Sequence, residues 1–110
     1  MPNKRQQKRT SENPQAAELR QHAEEASELL KAMGNPIRLM ILCSLVEAER
    51  SVGELNELID VSQATVSQHL AILRREGLVQ TRREAQTIYY SLAATKVRLL
   101  TACLHKIYCA

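Results

Sequence analysis

At 110 residues the chain has material for one domain and one core. Hydrophobic residues make up 45% of it, yet there is no Trp, no Phe and only three Tyr, so the core must be aliphatic. Such a core suits packed helices that finish their burial by pairing with a second copy. The net charge of +3 conceals a polarity along the chain. Residues 1–9 hold four bases and no acid, residues 10–60 four bases against ten acids, and residues 61–110 seven bases against two acids. Two basic segments around an acidic one form the footprint expected for a nucleic-acid partner, although basic tails also serve solubility. No apolar run approaches the ~20 residues that span a bilayer. The basic start is not followed by the apolar stretch of a secretory signal. A cytoplasmic protein without a membrane partner is expected, with Cys43, Cys103 and Cys109 present as reduced thiols.

Residues 1–14 are polar and basic and end in Asn13-Pro14, which predicts a flexible tail ahead of a domain over 15–110. From Gln15 to about Ala32, Ala16, Leu19, Ala23, Ala26, Leu29, Leu30 and Met33 recur at three- and four-residue steps, the pattern of an amphipathic helix stopped by Gly34. Asn35 and Pro36 open a second helix as cap and first residue. It carries Leu39, Met40, Leu42, Cys43 and Val46 and is predicted to end near Ala48. Ser51 and Glu54 form a capping box for a short third helix that buries Leu55, Leu58 and Ile59. After a break at Asp60-Val61, Ser62 caps a fourth helix running to about Glu76, with Gly77 ending it. Two short strands follow, over Val79–Arg83 and Ile88–Leu92, joined at Glu84-Ala85-Gln86. Thr95 caps a last helix to about Tyr108.

Two short helices joined by a tight turn and followed by a basic hairpin give the order of a winged helix-turn-helix: mostly α, with a small β-hairpin wing. The fourth helix turns Val66, Leu70 and Leu73 inward. Its other face offers Gln63, Thr65, Ser67 and Gln68, with Arg74 and Arg75 near its end. Small and amide side chains at a helix start can enter the major groove and reach base edges. A merely solvated face usually carries Glu and Lys instead. Arg82 and Arg83 on the first strand, with Gln86 beyond the turn, are placed to meet phosphate or the minor groove.

The stretches Leu30-Lys31-Ala32-Met33-Gly34-Asn35-Pro36-Ile37-Arg38-Leu39, Val61-Ser62-Gln63-Ala64-Thr65-Val66-Ser67-Gln68-His69-Leu70 and Leu73-Arg74-Arg75-Glu76-Gly77-Leu78-Val79 resemble the ArsR-type winged-helix regulators. The likeness covers about residues 25–110. It implies a homodimer built on the first and last helices and binding double-stranded operator DNA at an inverted repeat, with repression as the implied direction. By resemblance, Gln63, Thr65, Ser67, Gln68 and His69 read bases and position phosphates, and Arg82, Arg83 and Gln86 lie on the wing.

Two metal-site patterns of that family are unmet. The third helix has no Cys or His, and the last offers only His105 of the expected ligand types. Cys43 and Cys109 instead resemble the two sensing thiols of the HlyU/BigR/SqrR-like branch. That implies control of operator binding by oxidation, or by persulfide or polysulfide bridging, with a reactive sulfur species or oxidant as inducer. A free Cys is also commonly a small buried hydrophobe, and that reading stays open. Cys103, six residues before Cys109, faces elsewhere on the helix. Three further readings are weighed: a zinc-responsive repressor using Cys43, His105 and Cys109; an activator that displaces a silencing protein; and a protein-interaction module. No catalytic residue, cofactor or metal ligand is assigned. A Cys43–His pair would lack a substrate pocket, so an enzyme is not expected.

Overall fold

The computed structural model describes residues 13–109, so most of the predicted basic tail lies outside the described residues. The described residues divide into two compact units, one ending at Lys31 and the other beginning at Ala32. Helix α1 (Pro14–Met33), whose last two residues belong to the second unit, starts one residue before the expected Gln15. Asn13 is the cause: its Oδ1 accepts from the amides of Gln15 (3.0 Å) and Ala16 (3.3 Å), and Pro14 takes the first helical position. Leu19 and Leu30 of the predicted stripe are exposed.

The second unit runs α2 (Pro36–Ser44), β1 (Arg50–Ser51), α3 (Val52–Ile59), α4 (Gln63–Arg75), β2 (Val79–Glu84), β3 (Thr87–Leu92) and α5 (Thr95–Cys109). Asn35 caps α2 by accepting from the Ile37 and Arg38 amides at 2.9 and 3.1 Å. The helix stops at Ser44, short of the expected Ala48. The Arg50 Nε donates to the Ser44 carbonyl at 2.9 Å, taking an acceptor that a continuing helix would have used. Arg50 and Ser51 then form a strand that two residues of sequence did not announce. It pairs antiparallel with β3 at Arg50↔Tyr90 and Ser51↔Tyr89. The sheet is therefore three-stranded, in the order β1-β3-β2.

Ser51 also caps α3, with the reciprocal bond from its own amide to Glu54 Oε1 at 2.8 Å. Asp60, at φ 63°, closes that helix in the left-handed region. Ser62 caps α4 through the Thr65 amide at 3.1 Å. Gly77, at φ 80°, ends it. The amides of Leu78 and Gly77 return to the carbonyls of Leu73 (2.8 Å) and Arg74 (3.0 Å), the paired bonds of a Schellman motif. At the hairpin tip only Ala85, of the two turn residues, has a positive φ (58°), as a tight hairpin turn requires of its first central residue. Thr95 is the first residue of α5 rather than its cap.

The core of this unit is aliphatic. Ile41, Leu42, Leu55, Val66, Leu70, Leu73, Leu92 and Val97 are fully buried, each worth about 1.5–3 kcal/mol. Leu58, expected inside, is 56% exposed. The inward face of α3 is centred on Leu55 and Ile59, which leaves Leu58 at its margin. α5 packs on α2 and turns Val97 and Thr101 inward. Among the described residues no helix is long and apolar enough to cross a membrane.

Candidate nucleic-acid interface and thiol pair

α4 carries no acidic residue from Gln63 to Arg75 and ends on two arginines, so its outer face favours a polyanion along its whole length. The five residues singled out on it divide by position. Gln63, Ser67 and Gln68 are exposed and form the outward face. Thr65 and His69, four residues apart, are half-buried along one flank. The Thr65 hydroxyl lies 2.8 Å from that of Ser62, so it belongs to the helix cap. The His69 Nδ1 lies 3.2 Å from Nη1 of Arg38, whose Nε donates to the Ala32 carbonyl at 2.6 Å. Between α4 and the sheet, Ser67, Ala71, Arg74, Arg75 and Tyr90 line an open groove of about 450 Å³.

The two wing arginines differ in what they have available. Arg82 pairs with Glu49 and with Glu84 Oε1 (2.8 Å), and its guanidinium lies 4.8 Å from the Tyr89 ring centre. Hydrogen bonds that Arg82 donates to Glu49, then Glu84, hold it still more firmly protonated. The Arg82 hydrogen bond in turn pulls the Glu49 carboxyl below its ordinary range. This guanidinium is occupied in bracing the wing to the segment before β1. Arg83 is exposed and makes no ion pair among the described residues, and Gln86 stands exposed at the hairpin tip. Glu49, Tyr89 and Arg38 were missed from sequence. Their partners lie far away along the chain or across the sheet, and no local pattern marks them.

Cys43, on α2, is half-buried. Cys109, the last residue of α5, is exposed. Both line one wholly apolar groove of about 280 Å³ with Leu39, Met40, Leu104 and Tyr108. Both also line a second groove of about 230 Å³ with Ser44, Glu47, Arg50, Leu58 and His105. The two sulfur-bearing side chains thus share one site between α2 and α5. Burial, and secondly the neighbouring Cys109, push the Cys43 thiol up. Cys103 is exposed and lines neither groove. Among the described residues no three His, Cys, Asp or Glu side chains are gathered as a metal would need. Cys43, His105 and Cys109, the residues of the zinc reading, border the second groove without being gathered in this way.

Residues 35–81 match the family described as bacterial regulatory protein, arsR family. The transcriptional activator HlyU of Vibrio cholerae is 51% identical over 92 residues, covering 84% of this chain and 85% of that protein. The biofilm growth-associated repressor of Xylella fastidiosa is 44% identical over 93 residues, covering 84% and 82%. Among solved structures, reduced HlyU from Vibrio cholerae aligns with a TM-score of 0.81 at 50% identity, over 84% of this chain and 98% of that one. The homodimeric winged helix-turn-helix DNA-binding domain of a possible ArsR-family regulator from Mycobacterium bovis aligns at 0.71 and 30% identity, over 89% and 88%.

Proposed function

We propose that this protein, which belongs to the arsR family of bacterial regulatory proteins and is a DNA-binding transcriptional regulator rather than an enzyme, is switched by joining Cys43 to Cys109. The observation that carries the switch is the shared wall: both thiols border both grooves between α2 and α5. Cys109, exposed at the helix end, meets an inducer first. With a persulfide, its thiolate takes the outer sulfur and releases the donor as a thiol. The Cys43 thiolate then attacks the inner sulfur and expels hydrosulfide, closing a disulfide. If Cys43 has itself gained a sulfur before this attack, the bridge holds three sulfur atoms. With an oxidant such as peroxide, Cys109 becomes a sulfenic acid and Cys43 displaces water. Either bridge ties α2 to α5 and shifts the helices that carry the DNA-binding surface.

The DNA-reading surface assigned here is Gln63, Ser67 and Gln68 for bases, and Thr65, His69, Arg83 and Gln86 for the backbone, with Arg82 bracing the wing. A homodimer through α1 and α5 presents two copies of α4 to the half-sites of an inverted repeat. The exposed Leu19 and Leu30 on α1, Leu99 and Ile107 on α5, and the homodimeric Mycobacterium bovis relative support it. Cytoplasmic operator DNA is the partner. Repression and activation are both represented among the relatives, and the Vibrio cholerae activator favours keeping activation as a second outcome.

The test uses duplexes that the reduced protein selects from a random-sequence pool. Cys43→Ser and Cys109→Ser are expected to bind them and to keep binding after glutathione persulfide, while Cys103→Ser loses binding as the unsubstituted protein does. Persulfide-sensitive binding by Cys109→Ser would sink the two-thiol switch. Reporter output with and without the regulator separates repression from activation.

A further inference from the structure

Arg38 and His69 stand 31 residues apart and form a contact that neither the cysteine switch nor base reading explains. A guanidinium has five N–H donors and no acceptor. For the 3.2 Å contact with Nδ1 to be a hydrogen bond, Nδ1 is the lone-pair nitrogen and the ring proton sits on Nε2. Arg38 cannot turn away cheaply, because its Nε is held on the Ala32 carbonyl at 2.6 Å. Its backbone is fixed as well, since the Arg38 amide donates to the capping side chain of Asn35. Nε2 has no partner among the described residues. Nor is it among the buried side-chain atoms left unbonded, which are Asn56 Oδ1 and Thr101 Oγ1, so it opens to solvent. The flank that His69 shares with Thr65 is not the exposed face of Gln63, Ser67 and Gln68. It adjoins the start of α2, where Arg38 adds positive charge.

We propose that Arg38 is a positioning residue that locks His69 as its Nε2–H tautomer, so that the recognition helix α4 carries a neutral N–H donor aimed at a DNA phosphate beside the start of α2. A phosphate oxygen is an acceptor only and needs no particular base, so this contact sets the docking of α4 and leaves sequence choice to its outer face. The proposal rests on DNA binding and is independent of the thiols.

The experiment has two arms. In the first, long-range proton–nitrogen correlation spectra of the imidazole nitrogens are recorded on the full-length reduced protein without DNA. The His69 signals are expected to be those of a single Nε2–H tautomer, becoming a tautomer mixture in Arg38→Met. In the second, affinity for a mixed-sequence DNA duplex is measured at several salt concentrations. His69→Gln places an amide nitrogen near the site of Nε2 and is expected to bind more tightly than His69→Asn. His69→Asn keeps an acceptor for Arg38 but loses the outer donor. It is expected to bind about three- to tenfold more weakly per half-site, with the salt slope unchanged because no charge is removed. The two His69 variants keep the test decisive if Arg38→Met fails to fold. An Nδ1–H tautomer in the free protein, or equal binding by His69→Asn and His69→Gln, would overturn the proposal. Absence of binding by the unsubstituted protein would instead strike the DNA-binding reading itself.

Discussion

Replacing Gly77 by Ala and Ala85 by Gly is expected to move stability in opposite directions for one reason. Both residues occupy the left-handed region, at φ 80° and 58°. A Cβ at Gly77 would find nothing within 4 Å, so no clash enters and the backbone alone sets the cost. Holding an L-residue there costs about 1–2 kcal/mol. The smaller conformational freedom of Ala in the unfolded chain returns about 0.4–1 kcal/mol of that. Gly77→Ala should therefore destabilise by about 0.5–1 kcal/mol and Ala85→Gly should stabilise by a similar amount. In a domain of this size each change moves Tm by about 3–6 °C, in opposite senses. The two turns lie at opposite ends of the six-residue strand β2, about 20 Å apart, so the double substitution should return close to the starting value. Urea unfolding followed by far-UV circular dichroism measures this, with reductant present and one protein concentration throughout, because association would stabilise by mass action. Gly77→Asn should fall between Gly and Ala, since Asn tolerates this region. Loss of stability in Ala85→Gly, or a larger loss in Gly77→Asn than in Gly77→Ala, would refute the reasoning.

Gln68→Ala should lower affinity for selected sites by about 1–3 kcal/mol while leaving binding to unrelated DNA nearly unchanged; an unchanged sequence preference removes Gln68 from base reading. Arg83→Ala should reduce the salt slope of binding by about one unit. In Arg82→Gln, whose parent charge is already met by Glu49 and Glu84, the main change should be a less protected wing in hydrogen exchange, and a slope loss as large as that of Arg83→Ala would reverse their roles. Cys43, pushed up by burial, should alkylate more slowly with iodoacetamide at neutral pH than exposed Cys109 and gain on it as pH rises through the thiol range. The same raised value contributes stability that is present below the ordinary thiol range and lost as pH climbs through it. Equal labelling rates at neutral pH would contradict the buried environment.

The helix boundaries set by local chemistry were legible in the sequence. Asn35, the Ser51–Glu54 box, Ser62 and Gly77 each act within a few residues, so their spacing alone carries the information. The inward positions of α4 and the hairpin were legible for the same reason. What escaped depends on partners remote along the chain. α2 ends early because Arg50 reaches the Ser44 carbonyl, and β1 is a strand only because β3 lies beside it. Leu58 looked apolar and periodic, yet it lies at the margin of the inward face of its helix. On the wing, Arg82 and Arg83 are indistinguishable as letters, and Glu49, 33 residues before Arg82, separates the brace from the arginine that makes no ion pair among the described residues. No periodicity relates Cys43 to Cys109 either. Their pairing came from resemblance, and their common grooves give it a physical setting.

The most direct measurement is the intact mass and peptide map of the reduced protein after glutathione persulfide, with DNA binding followed on the same samples. The expected product has lost two hydrogens, with or without added whole sulfur atoms, and joins the peptides holding Cys43 and Cys109. DNA binding falls as this species accumulates and returns with dithiothreitol. Release of DNA while both thiols remain free, or a bridge between them that leaves DNA binding unchanged, would contradict the switch.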